Sequence, residues 1–111
     1  MPPKEGSPLQ GNLDVLILRA LSDGPSHGYG IAKWVRDATD EALVIEDRAL
    51  YIALHRLEER GWLTATWAAS ENNRRARYYK LSAAGKRALA RKQREWLSHA
   101  AAMFKALGVK R

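Results

Sequence analysis

The 111-residue sequence contains no cysteine, which rules out disulfides, thiolate nucleophiles and cysteine-based zinc sites. Nor does it hold the run of about eighteen apolar residues that a membrane-spanning helix needs. Its opening stretch, MPPKEGSPLQG, lacks the apolar segment of a secretory signal, so a soluble protein of the cytoplasm with no membrane partner is expected. No His-Glu-x-x-His pattern occurs. His27, His55 and His99 stand far apart with no carboxylate at ligand spacing, so neither a metal nor a cofactor is expected. The Gly28-Tyr29-Gly30 stretch follows Pro25-Ser26 rather than a strand and lacks the third glycine of a dinucleotide fingerprint, so it reads as a turn entering a helix. Nothing arranges Ser, Asp and His into a nucleophile, base and orienter, and the chain is not expected to be an enzyme.

What is present suits one small globular domain: 46% of residues are hydrophobic and 28% charged. The formal net charge of +7 favours a polyanionic partner, because cations that neutralise phosphates release condensed counterions. Acid is missing locally as well. From Arg74 to Arg94 there are nine Lys and Arg residues and no Asp or Glu, so more than the whole net charge lies in that run. Tyr78 and Tyr79 interleave with its first cations, the pattern of a hairpin laid along a nucleic-acid backbone.

Periodicity supplies the element order. Leu9, Leu13, Leu16, Ile17, Ala20 and Leu21 have the spacing of an amphipathic helix, stopped by Asp23-Gly24-Pro25. Ser26 is the expected cap of a second helix carrying Ile31, Trp34 and Val35. Asp47 is the expected cap of a third, with Leu50, Leu54 and Leu57 inward. After Gly61 the period changes: 62–69 and 74–81, rich in Trp, Thr and Tyr and joined by Glu71-Asn72-Asn73, read as a β-hairpin. Ser82 caps a final helix running to Leu107, roughly 37 Å long at about 1.5 Å per residue. The expected fold is mainly α with a small β-hairpin, a winged helix-turn-helix followed by a long C-terminal helix. The expected division is a flexible tail at 1–8, a winged-helix DNA-binding domain at 9–81 and a dimerisation helix at 82–111.

With Leu50, Leu54 and Leu57 inward, steps of about 100° place Arg48, Ile52, His55, Arg56 and Glu59 on the outer face of the third helix. Such a face suits the major groove, where Arg pairs with guanine, His donates to an acceptor and Ile touches a thymine methyl. Glu58 and Glu59 confine base contact to its N-terminal half. The last helix exceeds what so small a body covers. Its Trp96, Ala100, Met103, Phe104 and Leu107 are therefore expected to meet a second copy, and Trp96 offers a wall for a flat aromatic effector at that seam.

Specific words of the sequence resemble the PadR family of bacterial transcriptional regulators: Gly11-Asn12-Leu13-Asp14-Val15-Leu16-Ile17-Leu18, His27-Gly28-Tyr29-Gly30-Ile31, Leu50-Tyr51, Ala53-Leu54-His55-Arg56-Leu57-Glu58 and Gly61-Trp62. They continue through Ser70-Glu71-Asn72-Asn73-Arg74-Arg75-Ala76-Arg77-Tyr78-Tyr79, Leu81-Ser82 and Ala84-Gly85, in order along residues 9 to 98. The chain is most similar to compact members with one C-terminal helix. The resemblance implies a homodimer formed by that helix with help from Leu13 and Ile17, repressing through a palindromic operator in double-stranded DNA, with relief in some members by a small aromatic molecule. By position it implies that Tyr29, Tyr51 and the neighbouring Ala49 and Ile52 touch DNA, and that Arg74, Arg75 and Arg77 form the wing. The chain departs from the family pattern at Arg48-Ala49, usually a small pair, and at Ile52, usually proline. The alternative from another class is an RNA-binding or ribosome-associated basic protein that stacks bases on Tyr78 or Trp67.

Overall fold

The computed structural model describes residues 8–109. Seven elements follow in order: α1 Pro8–Ala20, β1 Ser26–His27, α2 Gly28–Ala38, α3 Asp47–Glu59, β2 Leu63–Ala69, β3 Arg75–Leu81 and α4 Ala83–Leu107. The tail expected at 1–8 lies, apart from Pro8, outside the described residues.

The apolar stripes of three helices meet in one core. Ile17, Leu18 and Leu21 come from the end of α1, Ile31 and Val35 from α2, and Leu50, Ala53, Leu54 and Leu57 from α3; Leu63, Tyr79 and Leu81 close it from the hairpin. The hairpin is antiparallel, with Leu63 opposite Leu81 and Ala69 opposite Arg75. Because side chains alternate along a strand, Arg75, Arg77, Tyr79 and Leu81 share a face, and buried Tyr79 and Leu81 turn that face inward. Burial pushes the Tyr79 phenol above its ordinary value. At the turn, Asn73 takes a positive φ of 61° and its N–H donates to the Ser70 carbonyl at 2.8 Å, a conformation Asn tolerates better than most residues.

Three local expectations change. The sheet has a third strand: β1 pairs with β3, Ser26 opposite Tyr79 and His27 opposite Tyr78, giving the order β1-β3-β2. Ser26 is therefore in a strand, and His27 caps α2 instead, its Nδ1 accepting from the Gly30 N–H at 3.1 Å. Asp47 is the first residue of α3 rather than its cap; Glu46 holds the cap position and makes no side-chain cap bond. Ser82 does cap α4, accepting from the Gly85 N–H at 3.0 Å while donating to the Gly61 carbonyl at 2.6 Å.

α4 is anchored most deeply in its first two turns. Gly85 and Ala88 are its only buried residues among those described, and a Cβ at Gly85 would run into the Trp62 carbonyl. Beyond Ala88 the helix stays in contact with α1 as far as Trp96, which bonds to Asn12, in a molecule measuring 51 × 29 × 28 Å.

Candidate nucleic-acid interface

α3 presents an open face bounded by two sealed flanks. Arg48, Tyr51, Ile52, His55 and Glu59 are exposed. Ile52 is 58% exposed, a large apolar side chain in water on an otherwise polar surface. His55 and Glu59 form an i,i+4 pair at 3.3 Å that occupies the C-terminal part of the face.

Tyr51 leans from this face toward α2. A Cβ at Gly28 would lie 2.6 Å from the Tyr51 hydroxyl, so a residue without a side chain is what lets α2 begin against α3. That contact places Tyr29, 68% exposed in the first turn of α2, beside Tyr51. Across from them stands the hairpin. A groove of about 510 Å³ runs between His27, Tyr29 and Tyr51 on one side and Trp67, Arg74 and Arg75 on the other. The Arg75 guanidinium lies 5.4 Å over the Trp67 ring, which holds its charge out along the hairpin. His27 meets Tyr78 edge to face at 5.1 Å, tying the α2 cap to the sheet.

Several residues named from the sequence are placed elsewhere. Arg56 is not on the open face. It turns onto α1, where its Nη1 and Nη2 donate to the two carboxylate oxygens of buried Asp14 at 3.0 and 2.8 Å. Arg77 does line the groove, but its Nη2 donates to Glu58 at 2.8 Å and its guanidinium lies 5.8 Å from the Tyr79 ring. These pairs close the two flanks of α3, one against α1 and one against β3. Ala49, on the same flank as Arg56, is half-buried in the wall of a different cavity. Ile17, expected at a subunit seam, is 0% exposed within this chain.

Of that second cavity only the Trp96 wall is expected from the sequence. About 640 Å³ in volume, it lies between α1, the segment joining α2 to α3, and α4, with Leu13, Leu16, Leu43, Val44, Trp96 and Leu97 among its lining residues. Leu43 and Val44 are exposed, and Trp96 donates its indole N–H to Asn12 at 2.8 Å. Farther along α4, Met103 and Leu107 are exposed, and Ala100 and Phe104 are half-buried. Asp14 was also missed, although an acid set among Leu13, Val15, Leu16, Ile17 and Leu18 is the pattern of a buried charge awaiting a partner. Among the described residues no cluster of His, Asp and Glu suits a metal ion, and no helix is long and apolar enough to cross a membrane.

Comparison with known proteins agrees with this geometry. Solved structures with the same fold include a transcriptional regulator from Clostridium thermocellum, with 34% identity, a TM-score of 0.79, and coverage of 87% of this chain and 94% of that one. A PadR family transcription regulator from Clostridium difficile shares 30% identity at a TM-score of 0.74, covering 86% of this chain and 97% of its own. An uncharacterised protein of Lysinibacillus sphaericus is 27% identical over 88 residues, 79% of this chain and 81% of its own length. The model of the PadR-like transcriptional regulator family matches residues 17–91, from the buried end of α1 to the basic part of α4. The chain belongs to the PadR-like family of transcriptional regulators.

Proposed function

We propose that the protein is a sequence-specific repressor that binds a palindromic operator in double-stranded DNA as a homodimer in the cytoplasm, and that it catalyses no reaction. The open face of α3 carries this reading. Arg48, Tyr51, Ile52 and His55 enter the major groove, Arg48 toward a guanine edge and Ile52 toward a thymine methyl. Tyr29 holds the backbone beside them, while Arg74 and Arg75 follow the adjoining phosphates from the hairpin. Arg56 and Arg77 hold α3 in place and do not touch DNA.

Dimerisation is supported by the second cavity. Trp96 and Leu97 on α4 line it together with Leu43 and Val44, all four exposed, and Met103 and Leu107 are exposed farther along α4, apolar side chains that a partner surface would remove from water. A second copy with the same surface is self-complementary about a two-fold axis. The Trp96 wall also suits a flat aromatic effector, in a cavity of the size that small ligands occupy.

The test is selection from a random duplex pool, followed by titration at physiological salt and determination of mass in solution. The expected result is an inverted-repeat sequence bound at least about a thousandfold more tightly than random duplex by a species of twice the chain mass. Equal binding of selected and random duplexes, or preference for RNA in direct competition, overturns it.

A further inference from the structure

The acid-free run of the sequence separates in space into two surfaces. Arg74 and Arg75 stand at the far end of the hairpin, whereas Lys86, Arg87, Arg91, Lys92 and Arg94 lie on α4. The seven residues of β2, at about 3.3 Å each, set the hairpin turn roughly 20 Å from the start of α4. The contacts proposed for α3 and the hairpin leave this second surface without a role.

Helical spacing sorts its cations. Gly85 and Ala88 are buried, Leu89 and Lys92 are half-buried beside them, and Trp96 reaches Asn12 on α1; these residues define the inner side of α4. Arg87, Arg91 and Arg94 recur at i, i+4 and i+7 on the opposite side, all exposed, over a rise of about 10 Å. Arg87 and Arg94 have no hydrogen bond, ion pair or ring contact among the described residues. Glu95 is the only acid in α4, and two acids of the body are engaged elsewhere, buried Asp14 with Arg56 and half-buried Glu58 with Arg77. Next to the stripe, the Trp62 ring is approached by Arg60 at 5.2 Å, Lys92 at 5.5 Å and Arg91 at 5.8 Å. Like charges gathered this densely repel one another until a polyanion neutralises them.

The stripe also has a direction. α1 packs on both α3 and α4, and the stripe faces away from α1. Arg87, Arg91 and Arg94 are therefore on a different element from Arg48, Tyr51 and Ile52, on the side of α4 opposite the one that meets α1. We propose that this stripe, with the cations around Trp62, binds the phosphate backbone of a second duplex segment, so that a dimer on its operator bridges to another stretch of DNA. The inference rests on the DNA-binding function proposed above. Around the arginines this side of α4 presents Ala90 and Ser98, with no Asn, Gln or aromatic group to read a base, so the contact is independent of sequence.

The experiment uses the full chain, a duplex selected by the protein and tethered to beads, and a fluorescent random-sequence duplex offered to the loaded beads. Wild-type protein should capture the fluorescent duplex. The R87Q/R91Q/R94Q variant should lower capture by at least about tenfold and reduce its salt slope by about three, with affinity for the tethered duplex held within about twofold. The variants lie on the exposed side of a helix, and an unchanged circular dichroism melt verifies folding. Capture by the triple variant equal to wild type overturns the proposal, as does absence of capture by wild type on loaded beads. A matching loss of affinity for the tethered duplex also overturns it, because the stripe then serves the operator contact. Equal affinity for selected and random duplexes at the tethering step defeats the specific-repressor reading instead, while capture still tests the stripe.

Discussion

The two flanks of α3 are both closed by an arginine and a carboxylate, yet they differ in depth. On the α1 side Asp14 is 2% exposed and both its oxygens are taken by Arg56. On the hairpin side the Arg77 and Glu58 side chains keep 39% and 28% of their surface, and a single nitrogen bonds a single oxygen. A buried pair gains little net stability over apolar packing but is costly to break from one side, because the remaining charge stays in a medium that solvates it poorly. The α1 flank is thus the stiffer constraint on the helix proposed to read DNA, and the hairpin flank the softer.

Breaking the stiff flank should have the largest effect. Asp14→Ala leaves Arg56 without its anion and should destabilise the fold by about 3 kcal/mol, measured as a shift in urea midpoint at constant slope. A loss well under about 1 kcal/mol would show that Arg56 swings out to solvent and that the two flanks are equivalent.

The open face between the flanks should respond in recognition rather than stability. Arg48→Ala removes an exposed side chain with no partner among the described residues, so the melting temperature should hold. The affinity ratio of selected to random duplex should fall by an amount equivalent to about 2 kcal/mol, the worth of one arginine-to-guanine contact. A loss shared equally by both duplexes would reassign Arg48 to a phosphate.

Much of this arrangement is legible in the sequence because it follows periodicity. Leu50, Leu54 and Leu57 identify the buried side of α3, and the change of period after Gly61 marks the hairpin. β1 is not legible: two residues have no period, and they become a strand only because β3 offers an unpaired edge. Arg56 was misplaced because a helical wheel gives an angle, not a neighbour. About 100° from the centre of the buried stripe a residue is at a flank, and only the position of Asp14 decides whether it faces water. For Arg77 the run of charge hid the strand alternation that puts it on the face of Tyr79 and Leu81. Of the cavity beside Trp96 the sequence offers that one wall, and the others are not legible because they come from α1 and the segment before α3, which are distant in sequence.

The soft flank should yield less than the stiff one. Glu58→Gln keeps the shape and a hydrogen-bond acceptor for Arg77, and water reaches both side chains, so the cost should stay below about 1 kcal/mol. If its urea midpoint shifts as far as that of Asp14→Ala, burial is not what separates the flanks.

The smallest effect belongs to an exposed pair, Lys33 and Asp37 on α2, 2.8 Å apart. The hydrogen bond from Lys33 holds the Asp37 carboxyl below its ordinary value near 3.8, and the same bond raises the Lys33 ammonium above 10.5. The signs follow from linkage. A depressed carboxyl contributes stability that is present above its unfolded value and is lost as pH falls through the folded one. A raised ammonium contributes stability that is present below its unfolded value and is lost as pH rises through the folded one. Both windows lie outside the neutral range, so the pair should leave no trace in a pH–stability curve between them. Its signature is local: Lys33→Gln should bring the Asp37 carboxyl titration, followed by carbon NMR, back up toward 3.8 with the melting temperature unchanged. An unmoved titration would mean that the exposed pair is open in solution, making burial the condition for any ion pair in this fold to hold a helix in place.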